Sequence, residues 1–195
     1  MKVVIIDYGA GNIRSVQFAF RRLGLEPGLS GDAGTIASAD LVIFPGVGEA
    51  SSAMKKLKAS GLDALIPNLK QPVLGICLGM QLMCIHTEEN DTRGLGIFDC
   101  EVQRFSGDLK VPQIGWNQIR DLSGPLFEGI PENEHMYLVH SYYARVCADT
   151  IATSDYGLTY SAALAKANFY GVQFHPEKSS LAGEKILKNF LSTCE

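Results

Sequence analysis

The chain has 195 residues, the size of one domain, because a single hydrophobic core stops growing at about 250–300 residues. Hydrophobic side chains make up 46% of it and charged ones 19%, which excludes a mainly disordered or fibrous chain. The 17 Lys and Arg against 21 Asp and Glu give a formal charge of -4 without any block of like charge, which argues against a nucleic-acid partner.

In chain order, Lys2 to Asp7 is an almost continuous β-branched run, of the kind buried on both faces of a parallel sheet, and it enters the turn Tyr8-Gly9-Ala10-Gly11. Asn12 can cap a helix whose apolar positions Ile13, Val16, Phe18, Phe20 and Leu23 lean to one side, and Gly24 supplies its stop. The Gly/Ala-rich stretch Gly31 to Ala39 reads as a surface loop. Strand, turn and helix recur at Leu41 to Phe44, Pro45-Gly46-Val47-Gly48 and roughly Ala50 to Ala59, then again at Val73 to Ile76, Cys77 and a helix beginning near Leu78. Repeated β-α units predict an α/β fold with a doubly wound, mainly parallel central sheet flanked by helices. Beyond Arg93 the texture shifts to shorter strand-like pieces at Gly94 to Gln103, Ile114 to Arg120, Tyr137 to Ser141 and Phe169 to Phe174. These predict a mixed or antiparallel extension of the same sheet, closed by an amphipathic helix at roughly Leu181 to Leu191. No linker or repeat intervenes, so residues 1–195 are expected to form one domain. The apolar runs are shorter than the about 20 residues of a membrane helix and no export signal stands at Val3 to Ile6, so a cytoplasmic location is expected.

The five cysteines form no CxxC pair and the four histidines lack metal-ligand spacing, so free thiols, no metal and no cofactor are expected. Gly9-Ala10-Gly11 mimics the opening of a dinucleotide fingerprint, but Arg14 stands where the third glycine belongs, and no Walker-type loop occurs. The strongest chemical signal is Gly75-Ile76-Cys77-Leu78-Gly79, a cysteine between small residues at a strand-to-helix junction, which has the form of a nucleophile elbow. The positive end of the helix and a nearby His would raise its thiolate fraction. A buried core cysteine is the bland alternative, and the paired glycines weigh against it. Phe174-His175-Pro176-Glu177 offers a base in His175 and an orienting acid in Glu177, which Pro176 can hold on one side of an extended backbone. A plain turn with a solvated Glu is the competing reading. Past the strand Leu41 to Phe44, backbone N–H groups of Val47, and of Leu78 at the elbow, can form an oxyanion hole; one such donor is worth about a hundredfold to a thousandfold in rate.

These motifs, with Asp7-Tyr8-Gly9-Ala10-Gly11-Asn12, Met80-Gln81, Gly115-Trp116-Asn117, His140-Ser141-Tyr142 and Lys178-Ser179, resemble the class I glutamine amidotransferases from end to end. Within that family they are most similar to the glutaminase subunits of imidazole glycerol phosphate synthase, of histidine biosynthesis. The resemblance implies that Cys77 attacks the side-chain amide of L-glutamine, that His175 moves protons and that Glu177 orients His175. It also implies that Gly48, Gln81, Glu89, Ser141 and Tyr142 hold glutamine, with Glu88 the rival to Glu89 if the loop register differs by one. The partner it implies is a (β/α)8-barrel cyclase subunit that receives the ammonia, forms a heterodimer and meets this chain at Asn12, Trp116 and Lys178. On sequence alone Trp116 could equally be core and Lys178 a solvated charge. The chain departs from the family pattern at Gln113, where a His is common, and at Cys84-Ile85-His86-Thr87. Val47 is β-branched where many relatives carry glycine, so turning its peptide to present an N–H is expected to cost about 1–3 kcal/mol, leaving the isolated chain a poor glutaminase.

Overall fold

The computed structural model describes residues 1–9 and 12–194. The first half alternates strands and helices: β1 (Val3–Ile6), α1 (Ile13–Arg22), β2 (Gly28–Ser30), α2 (Ala33–Ala37), β3 (Leu41–Gly46), α3 (Ala50–Ser60), α4 (Leu62–Leu65), β4 (Val73–Cys77) and α5 (Leu78–Met83). The second half is mostly strand: β5 (Cys84–Thr87), β6 (Thr92–Arg93), β7 (Phe98–Arg104), β8 (Gln113–Ile119), β9 (Glu134–His140), β10 (Tyr142–Ala144), β11 (Thr150–Asp155), β12 (Thr159–Lys166), β13 (Phe169–Val172), and then α6 (Ser180–Leu191). The main sheet runs in the order β2-β1-β3-β4-β13-β12-β10-β7-β5-β6, with β11 paired to β12. Strands β2 through β13 in that order are mutually parallel, and antiparallel pairing begins at β12. Among the described residues, no helix is long and apolar enough to cross a membrane.

The unbroken apolar character of the central strands follows from burial on both faces. Val4, Ile6, Val42, Phe44 and Val73 point into one core with Ala53, Met54 and Leu57 of α3. Their neighbours Val3, Ile5, Leu41, Ile43, Leu74 and Ile76 point into the opposite core with Val16, Ala19 and Phe20 of α1 and Ile186, Leu187 and Phe190 of α6. The period-2 alternation of a strand thus divides one sequence run between two helical layers.

Several expectations are corrected in detail. The strand through Leu41 continues to Gly46, so Pro45 and Gly46 belong to β3 and the turn begins at Val47. Gly31 to Ala39 is not a loop throughout: Asp32 accepts the Thr35 N–H at 2.7 Å and caps the short helix α2. Phe18 is 54% exposed, beside the Arg21 guanidinium, and the buried face of α1 is Val16, Ala19 and Phe20. Asn12 stands at the cap of α1 but gives it no side-chain capping bond; its Oδ1 accepts from the Ser15 hydroxyl. Strands β8 and β9 do not extend the main sheet and form a two-stranded antiparallel ribbon of their own. Of the turn expected after β1, Ala10 and Gly11 lie outside the described residues.

Candidate active site

Parallel strands deliver chemistry at their carboxyl ends, and β3, β4 and β13 end side by side. At the end of β4, Cys77 sits at φ 54° and ψ -110°, a conformation that costs a non-glycine residue on the order of 1–3 kcal/mol. The strain therefore lies on the cysteine itself, and the flanking glycines serve another purpose than the freedom to turn. A Cβ on Gly79 would stand 1.9 Å from the Phe44 carbonyl oxygen, and one on Gly75 would stand 2.5 Å from Met83 Sδ. Both glycines let α5 lie directly against the sheet, which lifts Cys77 onto its rim. Gly46 belongs to the same close approach, since a Cβ there would meet Gly79 N at 2.7 Å.

His175 follows β13 and Phe174. Its backbone N–H donates to the Tyr137 carbonyl at 2.9 Å, and its carbonyl accepts the Ser179 hydroxyl at 2.7 Å. The ring Nδ1 bonds Glu177 Oε1 at 2.8 Å with both residues buried, whereas Nε2 has no partner among the described residues. His175 is extended, but Pro176 to Lys178 form a 3-10 turn, so the turn and not an extended backbone returns Glu177 to the imidazole. Burial pushes the His175 pKa down, and the Cys77 sulfur and the Glu177 carboxylate more than offset this, raising it to about 10. A histidine so placed can hold a proton beside a thiolate and give it to a leaving group.

A cavity of about 330 Å³ opens over these groups, at the small end of the ~300–1,000 Å³ range of ligand pockets. Cys77, His175, Val47 and Leu78 line it, together with Gly48, Gln81, Glu89, Ser141 and Tyr142. Asn12 and Lys178 line it too. Glu177 stands behind His175, outside the cavity lining. Glu89 and not Glu88 faces the cavity: the Glu89 carboxylate accepts the Ala50 N–H at 2.7 Å, and burial raises its pKa. Glu88 turns away and accepts the Arg104 N–H. Trp116 lies apart from the cavity on the β8–β9 ribbon, 53% exposed, with its ring edge-on to Tyr137, over which Lys178 Nζ also sits. Gln113 is buried and accepts the Tyr160 hydroxyl, and Cys84 to Thr87 form β5; neither departure reaches the cavity.

Three residues at or behind the site receive no role from the sequence: Tyr8 and His140 stand within the quoted motifs without one, and Gln173 lies outside them. Tyr8 donates its hydroxyl to the Pro45 carbonyl at 3.1 Å, and burial raises its pKa. His140 lines the cavity, donates from Nδ1 to the Tyr142 carbonyl at 2.7 Å, and is held neutral by burial, its pKa lowered to about 4. Gln173 is fully buried, with Nε2 3.6 Å from Cys77 Sγ. The available signal for Gln173 was its spacing: two residues before His175 on an extended segment, it shares that residue's side of the chain.

A cysteine on a strained elbow and a histidine locked to a buried carboxylate, both at one cavity, have the geometry that acyl transfer requires, and the comparisons with known proteins give the chain a class. The family profile Glutamine amidotransferase class-I matches residues 4–194, and the chain belongs to that family of enzymes. It is 56% identical over 194 residues to the Imidazole glycerol phosphate synthase subunit HisH of Bacteroides thetaiotaomicron, covering 98% of this chain and 99% of that one. It is 48% identical over 199 residues to the protein of the same name from Photorhabdus laumondii, at 98% and 99% coverage. A solved structure described as a glutamine amidotransferase shares the fold, with a TM-score of 0.77 at 17% identity over 98% of each chain.

Proposed function

We propose that this chain is the glutaminase subunit of an imidazole glycerol phosphate synthase. Cys77 Sγ attacks the side-chain amide carbon of L-glutamine, and the oxygen of the tetrahedral intermediate is met by the N–H groups of Val47 and Leu78. His175, kept in orientation by Glu177, gives a proton to the departing nitrogen, so ammonia leaves and a γ-glutamyl thioester remains. A water molecule, deprotonated by His175, attacks the thioester, and glutamate leaves with the thiol restored. Gly48, Gln81, Glu89, Ser141 and Tyr142 hold the substrate.

Residues 1–195 act as one cytoplasmic domain in a heterodimer with a (β/α)8-barrel cyclase subunit. Asn12, Trp116 and Lys178 face that partner. The ammonia passes to the cyclase, which makes imidazole glycerol phosphate and aminoimidazole carboxamide ribonucleotide. The observation that carries this reading is the convergence of Cys77, His175 and Glu89 on one cavity, with Glu177 bonded behind His175, in a chain nearly coextensive with its relatives. The test is glutamate release from glutamine by the purified chain, alone and with the cyclase subunit and its ribonucleotide substrate. Little release alone and a large rise in the mixture is expected. Full activity alone points instead to an independent γ-glutamyl hydrolase, and silence in both mixtures refutes a catalytic role.

A further inference from the structure

Two buried amides connect the rim of the cavity to the nucleophile, and elementary hydrogen-bond chemistry settles which way each one points. The Tyr142 carbonyl can only accept, so the Gln81 atom 2.8 Å from it is the amide nitrogen. That nitrogen also donates to Gln173 at 2.9 Å, so the Gln173 atom at that end is its oxygen. The Gln173 nitrogen is thereby turned to Cys77, 3.6 Å from Sγ. Reversing either amide would set two acceptors or two donors face to face in a buried place, at the full desolvation cost of the stranded atoms. Sγ also has the Val139 carbonyl at 3.8 Å, a partner that only the protonated S–H can use. The two neighbours therefore discriminate between the forms of the sulfur: the thiol donates to Val139, and the thiolate accepts from Gln173.

We propose that Gln173 is a positioning residue for the nucleophile, a donor that favours the anionic form of Cys77, and that the relay Tyr142–Gln81–Gln173 fixes it in the donating orientation. The inference rests on the reading of Cys77 as the nucleophile. Gln173 does not line the cavity, so it acts on the sulfur and not on the substrate. Gln81 and Tyr142 do line it, so a ligand that engages this rim bears on the group that holds the thiolate.

The experiment is the pH dependence of Cys77 alkylation by iodoacetamide in the full chain, read by mass spectrometry on the peptide carrying Cys77, with the other four free cysteines as internal controls. Gln173→Glu keeps the shape and sets an oxygen against the sulfur. The midpoint of the profile is expected to rise by about one pH unit and the rate at pH 7 to fall about tenfold, the size of one hydrogen bond to a charged group. In glutamate release, kcat is expected to fall with KM kept. Gln81→Glu offers Gln173 only acceptors, so the Gln173 amide turns its nitrogen to residue 81 and its oxygen to Cys77. The profile then shifts in the same direction, although neither contacting residue has changed. A folded chain with either substitution and the native alkylation profile overturns the proposal; should Gln173→Glu not fold, the Gln81→Glu profile decides alone. Alkylation does not require glutamine, so an absence of glutamate release from the native chain with its cyclase partner would overturn the proposed function while leaving the shift to stand or fall by itself.

Discussion

Val47→Gly tests the proposal that backbone strain at the oxyanion turn keeps the resting chain from hydrolysing glutamine. Val47 is not among the residues with positive φ, whereas Gly48, next to it, sits at φ 97°. On the proposal that a productive oxyanion hole needs the Val47 N–H reversed, rotating the peptide before Val47 by half a turn carries φ at Val47 into the positive region, a genuine outlier for a β-branched residue. That costs about 1–3 kcal/mol, which glycine escapes, so the variant should populate the turned peptide about 5- to 150-fold more often. The side chain is 41% exposed, so its removal opens no core cavity and leaves stability almost unchanged. Glutamate release by the isolated chain should rise by that factor, with the urea midpoint as the control for folding. The same substitution combined with Cys77→Ala should be silent. A folded Val47→Gly chain whose unpartnered rate equals that of the native chain refutes the account, because the strain would then not be what holds the rate down.

Three further expectations follow from the packing and the buried charges. Gly79→Ala places a methyl 1.9 Å from the Phe44 carbonyl, a backbone atom that cannot step aside, so α5 must move; a stability loss of about 3 kcal/mol by urea titration and loss of activity are expected. Glu177→Gln removes the carboxylate bonded to His175 Nδ1 and should lower kcat by about ten-thousandfold with the fold intact, as measured by steady-state glutamate release. The two buried histidines pull stability in opposite directions with pH. The His140 pKa, lowered by burial to about 4, gives a contribution present above about pH 6.5 and lost as pH falls through 4, up to about 3 kcal/mol. The His175 pKa, raised to about 10, gives one present below about pH 6.5 and lost as pH rises through 10. Denaturant midpoints across pH 4–7 should therefore slope less in His140→Gln than in the native chain; equal slopes would refute the first assignment.

The parallel half of the fold was legible because its strands are uniform apolar runs, each punctuated by glycine at the point where a helix starts, and both signals are local. The antiparallel half was less so. Short alternating pieces state that a strand exists but not its partner, and nothing local to β8 and β9 distinguishes a free ribbon from a continuation of the main sheet. Cys77, His175 and Glu177 could be singled out from motif spacing, since Cys77 ends a strand with a glycine two residues to either side and His175 and Glu177 flank Pro176 shortly after another. Tyr8, His140 and Gln173 could not, because what makes each one part of the site is a neighbour far away in sequence: Pro45, the cavity and Cys77 respectively. The glycines of the elbow were legible as part of a nucleophile-elbow pattern, but the reason they are needed was not. Their space is needed by Phe44 and Met83, which lie outside the motif.

The backbone conformation of Cys77 has a bearing on how this chain can change over generations. Among the twenty residues, glycine alone is at ease at φ 54° and ψ -110°, so thermodynamics by itself would replace the cysteine. On the proposed role of Cys77, unselected replacement at this codon favours chains that fold more firmly and release no glutamate. Keeping the thiol there demands continuous selection on turnover, and any lineage in which that selection relaxes should lose the sulfur early, while the fold around it outlasts the activity.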